Sequence, residues 1–189
     1  MHIITNKIWV RFFFFAALLL GSFNFLGQSL SFSYVQGYFG VTAKDAAWLL
    51  RGFQSGTIIT GIAGLVFIKW IGNRTLFIGA AFLLLLATIF SFTATAFNIL
   101  LVSRIAAGIA NGFMIAVATQ LFLATYEGKT KMIGALNTVA ANIGGLCAGM
   151  LTNSLFTEDY GWKFSYYLSV PVLVIIIIFS FFFVPVSQK

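Results

Sequence analysis

Long apolar stretches follow one another along this chain, and most of the charged residues lie in the short segments between them. The stretches are continuous, as in Leu83–Ala87 and Val172–Phe179, whereas the strands of a membrane barrel alternate polar with apolar residues. Charged residues make up 8% of the 189 residues, against about 25% in soluble domains. This is too little charge to cover the surface of a water-soluble domain. A disordered chain is excluded as well, because disorder requires low hydrophobicity. The chain is therefore predicted to be an all-α membrane protein.

Six apolar segments are long enough to cross a membrane, which takes about 20 mostly apolar residues in a helix. They are Phe12–Tyr34, Trp48–Ile68, Thr75–Ala94, Ile99–Thr125, Met132–Leu155 and Phe164–Val184. The joints between them are short, and no Pro-rich or Ser-rich linker separates them. We therefore predict a single six-helix transmembrane domain over residues 1–189, arranged as a 3+3 inverted-repeat bundle, an architecture known from transporters.

Lysine and arginine residues are distributed unequally between the two ends of the predicted helices. With the N-terminus placed inside, the inner set is Lys7, Arg11, Lys69, Arg74, Lys129, Lys131 and Lys189. The outer set is Lys44 and Lys163, with Arg51 and Arg104 near outer helix ends. Cytoplasmic loops of membrane proteins carry the excess of basic residues, so both termini are predicted to be cytoplasmic. The net charge of +7 thus reflects membrane topology, and no nucleic-acid partner is expected.

Local sequence signals indicate where helices begin and end. Thr42 and Asp45 form a Thr-x-x-Asp pattern that predicts a helix start, and Asn98 is a candidate cap for the fourth helix. Gly72 is predicted to break the chain between the second and third helices. Pro171 lies inside the sixth helix, where we expect it to kink the helix or to shift its start.

Glycine pairs spaced four residues apart occur in three of the predicted helices. They are Gly52 and Gly56 in the second helix, Gly108 and Gly112 in the fourth, and Gly145 and Gly149 in the fifth. Lipid supplies no hydrophobic force between helices, so small residues must let helix backbones approach closely. The pairs therefore predict helix contacts. They either serve packing alone or, in the second and fifth helices, mark equivalent positions in two inverted repeats.

Uncharged polar residues converge on the first, second, fourth and fifth helices. Asn24 and Gln28 lie one turn apart on one face of the first helix. Gln54 lies in the second helix and Asn111 in the fourth. Such side chains either form hydrogen bonds between helices or line a polar cavity, and the sequence leaves both interpretations open. In the second case, these four residues are candidate contacts of a bound molecule.

Arg104 lies about five residues inside the outer end of the fourth helix, at a depth of roughly 8 Å. Its guanidinium either snorkels to the membrane interface or faces the interior, where an ionisable group is a candidate functional residue. Arg51 is shallower, and either snorkelling or pairing with Asp45 accounts for it.

Several kinds of chemistry find no candidate residues in this sequence. No predicted helix contains Asp or Glu, although proton relays in membranes generally use Asp, Glu or His. Proton coupling remains possible, but this chain offers it no membrane-embedded carboxylate. His2 and Cys147 stand alone and give no metal-ligand spacing, and no nucleophile has a nearby base. We therefore expect neither an enzyme, nor a metal site, nor a cofactor.

Three motifs occur in an order and spacing typical of one transporter family. They are Ala47-Trp48-Leu49-Leu50 followed by Phe53, Arg104 followed at four-residue steps by Gly108 and Gly112, and Trp162-x-Phe164 followed by Ser169-Val170-Pro171. Through them nearly the whole chain resembles the N-terminal six-helix half of a major facilitator superfamily transporter, closest to the fourteen-helix drug:proton antiporter (EmrB-like) branch. The resemblance implies that Arg104 lines a central cavity and takes part in proton coupling. It also implies that the first, second, fourth and fifth helices line the transport path of an alternating-access mechanism.

The sequence departs from that family at several positions. The family's loop between the second and third helices reads Gly-x-x-x-Asp-Arg-x-Gly, whereas this chain keeps Gly72 and basic residues, Lys69 and Arg74, as candidates for a gating loop. Asn24 stands where many relatives carry an acidic residue. Gly149 is what remains of the family's Gly-Pro-x-x-Gly-Gly motif in the fifth helix.

These observations predict transmembrane transport of a small amphipathic or cationic molecule, of the multidrug-efflux type. The chain would act in the lipid bilayer of a bacterial inner membrane as half of a transporter. A second copy of the chain or a separate C-terminal half would complete it. The alternative is a truncated, non-transporting membrane protein or a membrane scaffold derived from such a transporter. Motif order and polar helix faces favour transport, whereas the missing motif residues favour the alternative.

Overall fold

The chain folds into seven α-helices and one short 3-10 helix within the part described by a computed structural model, residues 2–126, 130–155 and 161–184. The 3-10 helix spans Gly161–Lys163, and the α-helices are α1 (His2–Leu30), α2 (Phe32–Phe39), α3 (Ala43–Ile71), α4 (Asn73–Thr93), α5 (Phe97–Thr125), α6 (Thr130–Leu155) and α7 (Phe164–Phe183). No strand occurs in these ranges. The prediction of an all-α fold is confirmed.

Five of these helices are long and apolar enough to cross a membrane. They contain the segments Ile8–Leu30, Ala43–Ile71, Asn73–Thr93, Phe97–Thr125 and Lys131–Met150. A shorter apolar stretch, Tyr166–Phe182, lies in α7. Large apolar side chains such as Ile62 and Phe182 are 69% and 77% exposed, which suits contact with lipid. The protein is therefore a multi-pass membrane protein.

The helices pair in a repeating pattern. α3 packs along α5 and α6 packs along α1, while α4 contacts both α5 and α7, and α7 contacts α1. Exchanging α1 with α5, α3 with α6, and α4 with α7 maps this set of contacts onto itself. Two inverted repeats of three spans produce such an exchange. The bundle thus has the 3+3 arrangement that the sequence predicts.

Two clusters of buried side chains hold the bundle together at different levels. The larger cluster draws most of its residues from α1, α4, α5 and α7, with a few from α3 and α6, and includes Phe13, Phe77 and Phe122. The smaller one, the outer cluster, consists of Val35, Leu49, Ala94, Leu100, Trp162 and Tyr166. The outer cluster joins α2 and the start of α7 to the adjoining ends of α3, α4 and α5. It lies at the end of the bundle for which the sequence predicts the outer surface.

The start of α3 is fixed by the predicted cap. The Thr42 hydroxyl oxygen accepts a hydrogen bond from the Asp45 backbone N–H at 3.2 Å, and the hydroxyl donates to the Asp45 carboxylate at 2.6 Å. The Thr-x-x-Asp prediction is confirmed, and α3 begins directly after Thr42, earlier than the predicted span. The cap predicted at Asn98 is wrong. Ala96 precedes α5 and its carbonyl accepts the first helical hydrogen bonds, so Asn98 lies inside the first turn.

Two positions divide the helical spans. Gly72, at a φ of 88°, ends α3 and separates it from α4 as predicted, and positive φ favours glycine. Ser31 divides the predicted Phe12–Tyr34 span into α1 and α2, and its hydroxyl donates to the Gln28 carbonyl oxygen at 3.1 Å. The first span is therefore longer than predicted and interrupted. Pro171 does not interrupt its helix, and α7 continues through it from Phe164 to Phe183.

Candidate functional site

A cleft of about 350 Å³ lies between α1, α3, α5 and α6. Its lining residues are Leu18, Gly21, Ser22, Phe25, Phe53, Gln54, Thr57, Ile58, Asn111, Ile115 and Asn137. These four helices are the ones on which the sequence concentrates uncharged polar residues. The volume falls within the range of small-molecule pockets, about 300–1,000 Å³. The walls combine aromatic and aliphatic side chains with a few amides, so the cleft suits an amphipathic molecule.

The apolar and polar parts of the cleft come from different residues. Phe25 of α1 and Phe53 of α3 stack with their ring centroids 6.5 Å apart and an interplanar angle of 26°. Asn111 of α5 has a buried side-chain oxygen without a hydrogen-bond partner in the described structure. Its side chain fits because Gly21 has no side chain, and a Cβ there would lie 2.7 Å from Asn111 Nδ2. A ligand with an N–H or O–H group would find an unused acceptor here.

Arg104 is fully buried, with an exposed fraction of 0%. Its guanidinium donates two long hydrogen bonds to Asn24, at 3.5 Å to the side-chain oxygen and 3.3 Å to the backbone oxygen. The guanidinium carbon also lies 4.8 Å from the ring centroid of Phe53 and 5.3 Å from that of Tyr166, at cation–π distance. Arg104 thus faces the interior of the bundle and does not snorkel.

The predicted cavity residues form two groups. Gln54 and Asn111 line the cleft, whereas Arg104, Asn24 and Gln28 are buried outside it. We define the arginine cluster as Arg104, with Asn24 and Tyr166 in contact with its guanidinium, together with Gln28, which is buried one helical turn after Asn24 on the same face of α1. Phe53 touches both groups, because its ring lines the cleft and covers the guanidinium. The role of these residues in binding stays a prediction.

The contact between α3 and α5 brings backbone against backbone. Gly108 lies so close to α3 that a Cβ would overlap the carbonyl oxygen of Phe53. A Cβ at Gly112 would lie 2.5 Å from the carbonyl oxygen of Thr57, and one at Gly56 would lie 2.9 Å from a backbone nitrogen of α5. These three positions therefore require glycine for close approach.

Two threonine hydroxyls of α3 reach carbonyl oxygens of α5 across this contact. Thr57 Oγ1 lies 3.1 Å from the oxygen of Gly108, and Thr60 Oγ1 lies 2.9 Å from that of Ile109. Each hydroxyl also reaches a carbonyl of its own helix, four residues back. Gly52, in contrast, faces α5 through side chains, because the three atoms nearest to a Cβ there belong to the side chains of Ile105 and Leu101. The glycines of the predicted pairs thus contribute unequally to the close approach of α3 and α5.

The counterpart contact between α1 and α6 depends on a different glycine from the predicted pair. A Cβ at Gly144 would lie 3.0 Å from the carbonyl oxygen of Leu19 in α1. At Gly145 the neighbour is the flexible end of Leu26, at 2.8 Å, and at Gly149 no atom lies within 4 Å. Gly145 and Gly149 instead line a groove of about 500 Å³. The close approach therefore falls one residue away from the predicted pair.

The candidate gating residues lie at the other end of the bundle from the outer cluster. Gly72 ends α3, and Lys69 is exposed in the last turn of that helix. Arg74 Nη2 donates a hydrogen bond to the carbonyl oxygen of Phe181, near the end of α7. A basic side chain favourably meets the unpaired carbonyls of a helix C-terminus. Arg74 thus connects the start of α4 to the end of α7, and the gating role stays a prediction.

Sequence reasoning did not single out Tyr166, although its ring lies against Arg104. Its hydroxyl is buried and has no hydrogen-bond partner in the described structure. The available signal was its position one turn after Trp162, within the aromatic start of the sixth helix. The sequence indicates Phe53 only as part of a motif. Its place between the cleft residues and the arginine cluster depends on the packing of α3 against α5.

Among the side chains that the structure describes, the cleft and the arginine cluster contain no carboxylate. Asp45 is the one acidic residue whose side chain is described, and it is exposed and bonded to Thr42. Arg51 accordingly does not pair with it, and its guanidinium carbon lies 5.4 Å from the ring centroid of Trp48. Among the described residues no group of three or more His, Cys, Asp or Glu side chains could hold a metal ion. The site therefore offers amides, rings and one guanidinium as binding groups.

Comparisons with known proteins agree with this architecture. Residues 12–189 match the Major Facilitator Superfamily. The chain is also similar to an uncharacterized MFS-type transporter, YhcA, of Bacillus subtilis (strain 168), with 27% identity over 171 residues. That alignment covers 88% of this chain and 31% of the relative. The chain thus spans about a third of that relative's length.

Proposed function

The chain belongs to the Major Facilitator Superfamily, and on this basis we propose that it is half of a transporter that binds small amphipathic molecules in the cleft and moves them across the membrane by alternating access. The cleft between α1, α3, α5 and α6 carries the proposal. Phe25 and Phe53 would contact the apolar body of the cargo, and Asn111 would accept a hydrogen bond from it. Family membership supports transport. Multidrug efflux and an amphipathic or cationic cargo are the specific parts of the proposal.

A second half would complete the site. Gln54 and Asn137 are exposed although they lie on membrane-spanning helices. Polar groups left unsatisfied in hydrocarbon cost several kcal/mol each. We therefore expect protein and water, and not lipid, to cover this face. The partner is either a second copy of this chain or a separate C-terminal half, since substrate sites lie at repeat interfaces near the midplane.

A proton gradient is the proposed energy source, used by antiport of protons against the cargo. Arg104 is the buried charge on which coupling would act, and Asn24, its hydrogen-bond partner, stands where relatives of the antiporter branch carry an acid. No predicted span of this chain contains Asp or Glu. A proton-carrying carboxylate would therefore come from the second half.

We place the protein in a bacterial inner membrane with both termini in the cytoplasm. Lys69, Arg74 and Lys131 lie at one end of the bundle, which supports that orientation. A C-terminal green fluorescent protein should be fluorescent, and a C-terminal alkaline phosphatase should be inactive. The opposite pattern would reverse the topology.

Reconstitution tests the transport proposal directly. The full chain, alone and together with candidate C-terminal halves, is placed in proteoliposomes with a proton gradient and a fluorescent cationic dye. We expect gradient-dependent flux that falls strongly in Asn111→Ala, because the cleft loses its acceptor. The matched control is Asn98→Ala, at an exposed position in the first turn of α5. Absence of flux in every combination would refute transport.

A membrane scaffold is the second candidate function, favoured by Asn24 in place of the family's acid and by the polar, exposed face around Gln54. In that case a stable membrane partner should co-purify with the chain while no combination shows flux. The same reconstitution series therefore distinguishes the two candidates.

A further inference from the structure

The arginine cluster contains a positive charge without a described counter-ion. Arg104 is fully buried, and a buried charge is costly unless it is paired. Asp45, the one described carboxylate, is exposed and bonded to Thr42. The two ring faces and the long hydrogen bonds to Asn24 compensate the charge only in part.

The same cluster contains hydrogen-bonding atoms that are buried and unpartnered in the described structure. They are Arg104 Nε, the Tyr166 hydroxyl and both atoms of the Gln28 side-chain amide. Buried polar atoms in proteins nearly always have partners. Arg104 Nε, the Tyr166 hydroxyl and Gln28 Nε2 are all able to donate. The cluster therefore combines a positive charge with spare donors, and it lacks a charged acceptor.

We propose that the arginine cluster binds a small anionic group, either a free inorganic anion such as chloride or the carboxylate of a molecule held in the cleft. Arg104 supplies the charge, and Tyr166 and Gln28 supply neutral donors. Charge-assisted hydrogen bonds of this kind are stronger than neutral ones. Binding is a property of the purified chain and does not require transport, so it stands or falls separately from the proposed function.

Phe53 is the barrier that an anion must pass. Its ring covers the guanidinium on one side and lines the cleft on the other. Rotation of this ring would open a path from the cleft to Arg104 of about the size of one phenyl group. The site therefore admits a compact group, such as a halide ion or a carboxylate, while the bulk of a larger molecule stays in the cleft.

Thermal unfolding of the full chain in detergent micelles measures binding. Trp162 packs edge-on against Tyr166 with ring centroids 5.8 Å apart, so tryptophan fluorescence reports near the cluster. Sodium isethionate, a bulky sulfonate salt, is replaced stepwise by sodium chloride in one arm and by sodium acetate in a second arm, at constant ionic strength. A ligand that binds only the folded state raises the unfolding temperature in a saturable manner, and we expect such a rise in at least one arm.

Variants test whether the response comes from this cluster. Arg104→Gln should remove the anion response, and Arg51→Gln, which replaces an exposed arginine, should retain it. Tyr166→Phe removes a single donor and should weaken anion affinity about tenfold. If Arg104→Gln does not fold, Tyr166→Phe and Gln28→Leu decide the matter by their affinities.

Each outcome bears on the proposal. A response to chloride alone assigns the site to a free inorganic anion, and a response to acetate alone assigns it to the carboxylate of a cargo. Responses in both arms show that the site accepts either source. An unfolding temperature that is independent of both anions would overturn the proposal. Wild-type affinity in Arg104→Gln, or in both Tyr166→Phe and Gln28→Leu, would overturn it as well.

Discussion

Two helix contacts related by the inverted repeats are built differently. Between α3 and α5, three glycines allow backbone contact and two threonine hydroxyls reach across, the residues being Gly56, Gly108, Gly112, Thr57 and Thr60. Between α6 and α1, Gly144 is the one described α6 glycine with α1 backbone close to its Cβ position. Gly149, five residues further along α6, has no atom within 4 Å of its Cβ position. The α3–α5 contact is thus close at three glycine positions, and its counterpart is close at one.

The difference gives the cleft two unlike walls. α3 and α5 form a wall that cannot slide without breaking backbone contacts, and this wall contributes Arg104 and Phe53 to the centre of the bundle. In α6, Gly145 meets α1 through a leucine side chain and Gly149 meets no atom within 4 Å, and a side chain can repack at lower cost than a backbone can move. If the cleft changes shape during transport, we expect α6 to move against α1 while α3 and α5 move together.

The largest effect is expected from Gly108→Ala in the closer contact. The new Cβ would overlap the Phe53 carbonyl oxygen, and overpacking of this kind costs about 1–3 kcal/mol or more. The amount of folded, monodisperse protein in detergent should fall sharply. The matched control is Gly149→Ala, which meets no atom within 4 Å and should behave like the wild type. Equal stability of the two variants would remove the contrast between the walls.

Arg104→Ala tests what the wall formed by α3 and α5 contributes to function. We expect transport to be abolished while the amount of protein in the membrane stays normal. The reason is that the buried charge of Arg104 acts in transport and is not needed for folding. Flux through reconstituted protein and quantitative immunoblotting of membranes measure the two quantities. Arg51→Ala, at an exposed arginine beside Trp48, is the control and should transport normally. Undiminished flux in Arg104→Ala would remove this residue from the mechanism.

Gly144→Ala and Gly145→Ala sharpen the description of the looser contact. At Gly144 the added methyl group meets the carbonyl oxygen of Leu19, whereas at Gly145 it meets a flexible leucine end that can move away. We expect a stability loss of about 1 kcal/mol for Gly144→Ala and a smaller one for Gly145→Ala, both measured by thermal unfolding. The reverse order would place the face of α6 one residue away from its described register.

An effect no larger than that of Gly144→Ala is expected from the double change of Thr57 and Thr60 to valine. Interhelical hydrogen bonds in membranes are worth about 0.6 kcal/mol each, so the pair should contribute about 1 kcal/mol to the free energy of unfolding. Thr138→Val is the control, because the Thr138 hydroxyl is exposed and bonds within α6 to Gly134. A double variant as stable as this control would show that glycine contact alone fixes α3 against α5.

Much of the fold was predictable because its causes are local. Continuous apolar runs match the thickness of a bilayer, so the spans follow from hydropathy and length. The Thr42 cap and the Gly72 break each depend on hydrogen bonds or dihedral angles within a few residues. The concentration of polar residues on four helices likewise indicated which helices line the cleft. The interruption at Ser31 was not predicted, because apolar residues, Leu30 and Phe32, flank it and no proline lies nearby.

The sequence by itself therefore determined that the chain is a bundle of membrane-spanning helices with a polar side. The tertiary structure alone decided that Arg104 points inward, that it meets Tyr166, and that Gly144, not Gly145, faces the backbone of α1. These choices depend on how each helix is rotated against its neighbours. Adjacent residues point about 100° apart around a helix, so a shift of one residue exchanges a contact for an exposed face. That rotation is set by the packing of whole helices, which no local pattern records.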